Sequence, residues 1–319
     1  MDFHLQFPIT PSVEKMNYSQ SSLFMGSCFS ENIGELLLQN KFNSLLNPNG
    51  ILYNPSSIAI ALRRYISNNL LKDSDLFYAN ECWNSWEHHS RYSHIEKLNC
   101  LGTINTEISK AHSFLKNTDW LFITFGSAFV YKRNNALVGN CHKQPHKEFS
   151  KELLETREIV NEYRKLISDL KTFNPNLKFV FTVSPVRYIR DGIVENNLSK
   201  ARLIDAVHQI IEKNVYYFPA YELVIDVLRD YRFYKKDMVH PSEQAIAYVF
   251  DKFRDAFFED SASELFLRIN EILIAKKHIP FNAGSPSHKK FRVNFLNRIQ
   301  LLQSQNSYLD LSEEQSYFL

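Results

Sequence analysis

Short apolar runs alternate along this chain with longer stretches of helical periodicity, and that alternation narrows the fold more than any single motif. Residues 22–26 are an expected first strand, after which Phe29, Ile33, Leu36 and Leu37 fall on one helical face. Phe42 to Leu46 reads as a short strand before the turn Asn47-Pro48-Asn49-Gly50, and Pro55 opens a helix that aligns Ile58, Leu62 and Tyr65. A helix near 105–117 leads into the buried run Asp119 to Gly126. Leu153, Val160, Tyr163, Ile167 and Leu170 mark a long amphipathic helix, followed by the strand Lys178 to Val183. A helix near 199–213, a short strand from Val215 and a last core helix through Ile246, Val249, Phe250, Phe253 and Phe257 complete the pattern. Strands alternating with helices in this way predict a mainly parallel sheet covered on both faces.

The 319 residues suffice for one large domain with an appendage. A formal charge of only +2 gives no global electrostatic case for nucleic acid or an anionic membrane. The first residues lack a basic segment followed by an apolar core, so no signal peptide is read. No run reaches the roughly 18 apolar residues of a membrane helix, so no membrane span is expected. Cys28, Cys82, Cys100 and Cys141 are scattered, without a C-x-x-C pair, so neither a zinc site nor a disulfide framework is indicated. The expectation is a cytoplasmic, reduced protein without a cofactor; oligomeric state is not readable.

Two stretches, about 76–100 and 131–148, lose the periodicity and read as irregular insertions in a main domain of residues 1–258. Residues 259–319 read as a helical extension with a polar tail, broken between Pro280 and Pro286. Its Lys289, Lys290, Arg292 and Arg298 fit a solvated helix face. Trp83, Trp86 and His88 suit either a sugar-stacking wall or the small core of the first insertion. The histidines at 88, 89 and 94 and the Cys141-His142 pair lack the carboxylates or helical spacing of a metal site, and none is predicted.

Chemistry concentrates at Gly26-Ser27, where the first strand meets a helix, and at Asp237-Met238-Val239-His240-Pro241 far downstream. A serine at a strand's carboxyl end beside unpaired helix N–H groups can be a nucleophile with an oxyanion site at hand. Pro241 biases His240 out of helical geometry, into a loop just before the last core helix. Asp237, three residues earlier, can then orient its ring. Cys28 is a rival nucleophile, although adjacent residues diverge where a strand ends. The Gly-x-Ser-x-Gly elbow of one hydrolase fold is absent.

With Gly26-Ser27-Cys28-Phe29 the chain resembles the GSCFA-domain family, itself similar to the SGNH/GDSL hydrolases. The resemblance extends in order through Asn47 to Pro55, Phe122 to Ser127, Asn140 to Pro145, Val183 to Arg187 and Asp237 to Gln244. It implies a three-layer αβα, flavodoxin-like sheet with Ser27 as nucleophile and Asp237 and His240 completing a triad. It also implies that the N–H groups of Ser27 and Gly50 bind the oxyanion. The superfamily's third block normally supplies an asparagine; here Gly126-Ser127 leads to Ala128. Ser127, at the correct strand end, is the expected substitute, with Asn140 and His142 as other candidates; these two and Arg187 are also candidate substrate-binding residues. Arg187 suits either a substrate anion or a salt bridge.

The implied function is a serine ester hydrolase, deacetylating carbohydrate by family analogy, that works through an acyl-enzyme. Two alternatives stay open. One is an acyltransferase to a sugar or other alcohol, and the other a non-catalytic binding protein on a weakened fold.

Overall fold

The computed structural model describes residues 5–319. The chain begins with β1 (Ser21–Gly26), α1 (Cys28–Gln39), β2 (Asn43–Leu46) and α2 (Pro55–Ser67). A hairpin of β3 (Leu76–Ala79) and β4 (Cys82–Ser85) precedes α3 (Lys97–Leu115) and β5 (Trp120–Phe125). Three short strands, β6 (Phe129–Arg133), β7 (Ala136–Val138) and β8 (Ser150–Leu153), lead to α4 (Thr156–Phe173), β9 (Lys178–Val183), α5 (Ile193–Ile210) and β10 (Val215–Tyr217). The one-turn α6 (Ala220–Glu222) is followed by α7 (Glu243–Phe257), α8 (Asp260–Lys276), α9 (Pro286–Gln305) and α10 (Ser312–Phe318).

The five strands of the main sheet are all parallel and run β2-β1-β5-β9-β10 in space. Counted within the sheet, that is the order 2-1-3-4-5 of the flavodoxin-like doubly wound folds. Side chains alternate through the sheet and divide the core in two. Leu23, Met25, Leu121, Ile123, Phe179 and Phe181 face α2, α3, α4 and α5. Phe24, Trp120, Phe122 and Val180 face α1, α7 and the C-terminal helices. The second face is aromatic: Phe122 lies 5.3 Å from Phe253, and Phe250 is 5.1 Å from Phe266 of α8. Ile269, Leu302 and Phe318 continue that cluster, so the C-terminal helices share the main core.

The two stretches that read as irregular form small antiparallel sheets, β3-β4 and β7-β6-β8. Both hairpins turn on two residues with positive φ, Asn80-Glu81 (51° and 61°) and Asn134-Asn135 (50° and 64°). Such turns match the right-handed twist of a two-stranded ribbon and favour asparagine. Phe77 and Trp86 stack at 3.6 Å with Phe149 against the indole, so Trp86 belongs to the core of this appendage.

A candidate active site at the sheet's switch point

In a 2-1-3-4-5 sheet the crevice for a ligand opens at the carboxyl ends of the two strands where the winding reverses. Here those strands are β1 and β5, and both end in Gly-Ser. Gly26 has φ +125°, and a Cβ there would lie 2.2 Å from the Thr124 carbonyl oxygen, so only glycine fits. Ser27 follows as the N-cap of α1, its Oγ accepting the Phe29 N–H at 3.4 Å. The residue is 1% exposed. Its own N–H donates to Thr124 O at 3.2 Å.

The Asn47 to Gly50 turn sits beside this point. Asn47 Oδ1 accepts the Gly26 N–H at 2.8 Å, and the Gly50 N–H closes the turn on Asn47 O at 2.6 Å. Gly50 has φ +77°, and a Cβ would collide with His89 at 2.1 Å. Next along the chain, the Tyr53 carbonyl accepts both the Gly126 N–H (2.8 Å) and the Ser127 N–H (2.9 Å).

Asp237 and His240 come together as their spacing predicts. His240 Nδ1 lies 2.7 Å from Asp237 Oδ2, while Asp237 Oδ1 accepts the N–H groups of Val239 and His240 at 2.9 and 3.0 Å. Those two backbone bonds, and then the imidazole, hold the Asp237 carboxyl far below the usual carboxylate range. The loop is fixed at its base by Lys235 N–H to His240 O (2.7 Å) and Ser242 N–H to Phe233 O (2.8 Å). His240 keeps 45% of its side chain exposed. Among the described residues its ring bonds only Asp237, and Ser27 Oγ bonds only the Phe29 N–H. The structure therefore builds the Asp-His pair and the serine turn, and does not join them by a hydrogen bond. The loop leads directly into α7, which packs against α1.

The remaining candidates have local partners. Ser127 Oγ accepts the Phe129 N–H at 3.1 Å and lies 3.4 Å from Ser199 Oγ of α5. The buried Ala128 gives its N–H to the same Ser199 oxygen at 2.7 Å. Asn140 Oδ1 accepts the His142 N–H at 2.8 Å, and His142 Nε2 bonds Ser85 O at 2.8 Å. Burial lowers the His142 pKa, so its ring stays neutral and ties the two small sheets together. Arg187 lies over the Tyr234 ring at 4.8 Å, and its Nη1 is buried without a hydrogen-bond partner among the described residues. It forms no salt bridge among them. Burial raises the Cys28 pKa, with Glu31 adding to the effect and Lys200 and Lys235 offsetting part of it. A thiol held protonated is a poor rival to the neighbouring serine.

Sequence reading missed Lys200. It is 1% exposed, and its Nζ donates to Gly126 O and Ser184 O, both at 2.6 Å. Those carbonyls end β5 and β9, so one ammonium clips two central strands behind the serine turn. Burial pulls its pKa down to about 7. The available signal was its place in the stripe Asn196, Lys200, Leu203, Val207, Ile210, the inward face of α5.

Among the described residues no group of three His, Cys, Asp or Glu side chains could hold a metal ion, and no helix is long and apolar enough to cross a membrane. A groove of about 1040 Å³ runs past Asp226, Phe233 and Tyr248 and does not include Ser27.

The chain belongs to the GSCFA family, whose model matches residues 21–253, and a model described as the GSCFA domain protein, C-terminal domain, matches residues 269–319. No curated protein matches the chain. Among solved structures it is similar to a carbohydrate esterase family 3 from Talaromyces cellulolyticus. The TM-score is 0.38 and the identity 9%, with 79% of this chain and 99% of that one covered.

Proposed function

We propose that the protein is a serine ester hydrolase of the SGNH type, acting on a small ester, with an acylated carbohydrate as the substrate class. One observation carries this reading: His240 is held through Nδ1 by an ionised Asp237, with Nε2 free of hydrogen bonds among the described residues, in a loop that leads into α7, which packs against the helix Ser27 caps. Ser27 Oγ attacks the acyl carbon as His240 Nε2 takes its proton. The same imidazole then protonates the leaving alcohol, and Asp237 stabilises the imidazolium throughout. Water, activated by His240, releases the acyl group. The oxyanion falls to the Ser27 N–H, whose bond to Thr124 at 3.2 Å is long enough to be shared. The Ser127 hydroxyl is the supporting donor, the Gly50 N–H joining only if it gives up its 2.6 Å bond to Asn47 O, and Arg187 faces an anionic substituent of the substrate.

A second reading has its own support. Ser27 is buried, its Oγ caps a helix, and the N–H groups of Ser27 and Gly50 already hold internal acceptors. These features suit a binding protein on an inactive fold. A fluorophosphonate probe separates the two. Covalent labelling that disappears in Ser27→Ala and falls steeply in His240→Ala supports the hydrolase, and a protein that stays unlabelled at high probe concentration leaves only the binding reading. With an active enzyme, the partition of acyl groups between water and added carbohydrate distinguishes hydrolysis from transfer.

A further inference from the structure

Between α8 and α9 the chain makes an exposed bend, and the charge around it differs from that of the rest of the protein. From Ile272 to Leu309 there is no Asp or Glu, while Lys276, Lys277, Lys289, Lys290, Arg292 and Arg298 are all basic. Since the whole chain carries +2, these six positive charges leave −4 for everything else. Lys276 is paired with Glu313 and Arg298 with Glu271. Arg292 Nε donates to the Phe318 carbonyl. Lys277, Lys289 and Lys290 are exposed and form no ion pair among the described residues.

Apolar residues point outward at the tip of this basic collar. Ile279 is 88% exposed and Phe281 fully exposed, with Val293 also exposed on α9. The bend is built rather than slack. Ser285 caps α9 by accepting the His288 N–H at 3.2 Å, and Asn282 Oδ1 accepts the Gly284 N–H at 3.0 Å. The Phe291 ring lies 5.6 Å from His278 and 5.9 Å from His288, clasping the end of α8 to the start of α9. A fixed tip with a bare aromatic and a bare aliphatic side chain, ringed by lysines, matches a surface that is anionic outside and apolar just beneath. Duplex nucleic acid offers the charge but no apolar layer for Ile279 and Phe281.

We propose that the α8–α9 bend docks the protein on an anionic bilayer surface. Phe281 and Ile279 enter the boundary between headgroups and acyl chains, and Lys277, Lys289 and Lys290 lie against the headgroups. The near-neutral total hides this surface, because the charge is segregated rather than absent. The docking is independent of any activity at Ser27.

Flotation of the full chain with vesicles tests it, comparing phosphatidylcholine alone with phosphatidylcholine containing about one third phosphatidylserine. The expected result is partition onto the anionic vesicles only, weakening as salt is raised. Lys289→Glu combined with Lys290→Glu lowers the partition coefficient by about 25-fold or more, at about fivefold for each basic residue near the surface. Phe281→Ala also weakens binding, and Phe281→Trp emits at shorter wavelength once anionic vesicles are added. All three positions are outside the core, so melting temperature stays unchanged as the control. The proposal is overturned by absence of binding to anionic vesicles, or by a Phe281→Trp emission that does not move. Binding to duplex DNA in place of vesicles likewise overturns it.

Discussion

The two strands that flank the switch point end in the same dipeptide, and the two ends behave differently. After β1, Gly26-Ser27 passes directly into a helix; after β5, Gly126-Ser127 passes into Ala128 and a small antiparallel sheet. Both serine oxygens accept the N–H two residues on, at 3.4 Å for Ser27 and 3.1 Å for Ser127. Only Ser127 acquires a second oxygen, Ser199 on α5, and only Gly26 sits where a side chain has no room. The role of a Gly-Ser end is thus set by the element it leads into and by the helix packed over it. In the proposed hydrolase the first of the two ends is the one that carries the chemistry.

That contrast can be broken by measurement. The largest expected effect is on turnover of a short acyl nitrophenyl ester. Ser27→Ala lowers it by about a thousandfold or more, whereas Ser127→Ala changes it by less than about tenfold. Equal losses in the two variants would erase the difference between the strand ends. Stability should divide the glycines next. Gly26→Ala costs about 3 kcal/mol, since the new Cβ meets backbone at 2.2 Å with φ at +125°. Gly126→Ala, whose Cβ would sit 3.2 Å from Tyr53 and 3.4 Å from Ser27, costs about 1 kcal/mol in urea melts.

An effect of similar size, read through its pH dependence, comes from Lys200. Its folded-state pKa, pulled by burial from 10.5 to about 7, means that between those values the unfolded chain holds a proton the folded chain has released. Raising pH through that window therefore favours the folded state, and below about 7 the cost of burying the charge is present in full. Relative to Lys200→Met, the protein should gain stability of order 1–2 kcal/mol between pH 7 and 9, on the scale of about 1.4 kcal/mol per unit. A difference that stays flat with pH would mean that the carbonyls of Gly126 and Ser184 keep the ammonium charged.

Much of the sheet was legible because β1, β5 and β9 are continuous apolar runs, the signature of strands buried on both faces. The Asp237–His240 contact was equally legible, since a spacing of three before a proline fixes it locally. The small sheets were not, because strands of three to five residues carry too little periodicity, although Asn134-Asn135 was a hairpin signal in plain sight. The surroundings of Ser127 were out of reach for a different reason. Its partner, Ser199, lies 72 residues away and meets it only once α5 has packed on the sheet. Lys200 was passed over because a lysine in an amphipathic helix ordinarily faces water.

The Tyr53 carbonyl has a mechanical consequence. By taking both the Gly126 and the Ser127 amide, it fastens the loop that carries Gly50 to the end of β5 through one oxygen atom. The two strand ends beside Ser27 are therefore coupled through one loop: the Leu52 N–H to Gly26 O bond holds it to β1, and any displacement of Tyr53 away from β5 costs the Gly126 and Ser127 bonds together.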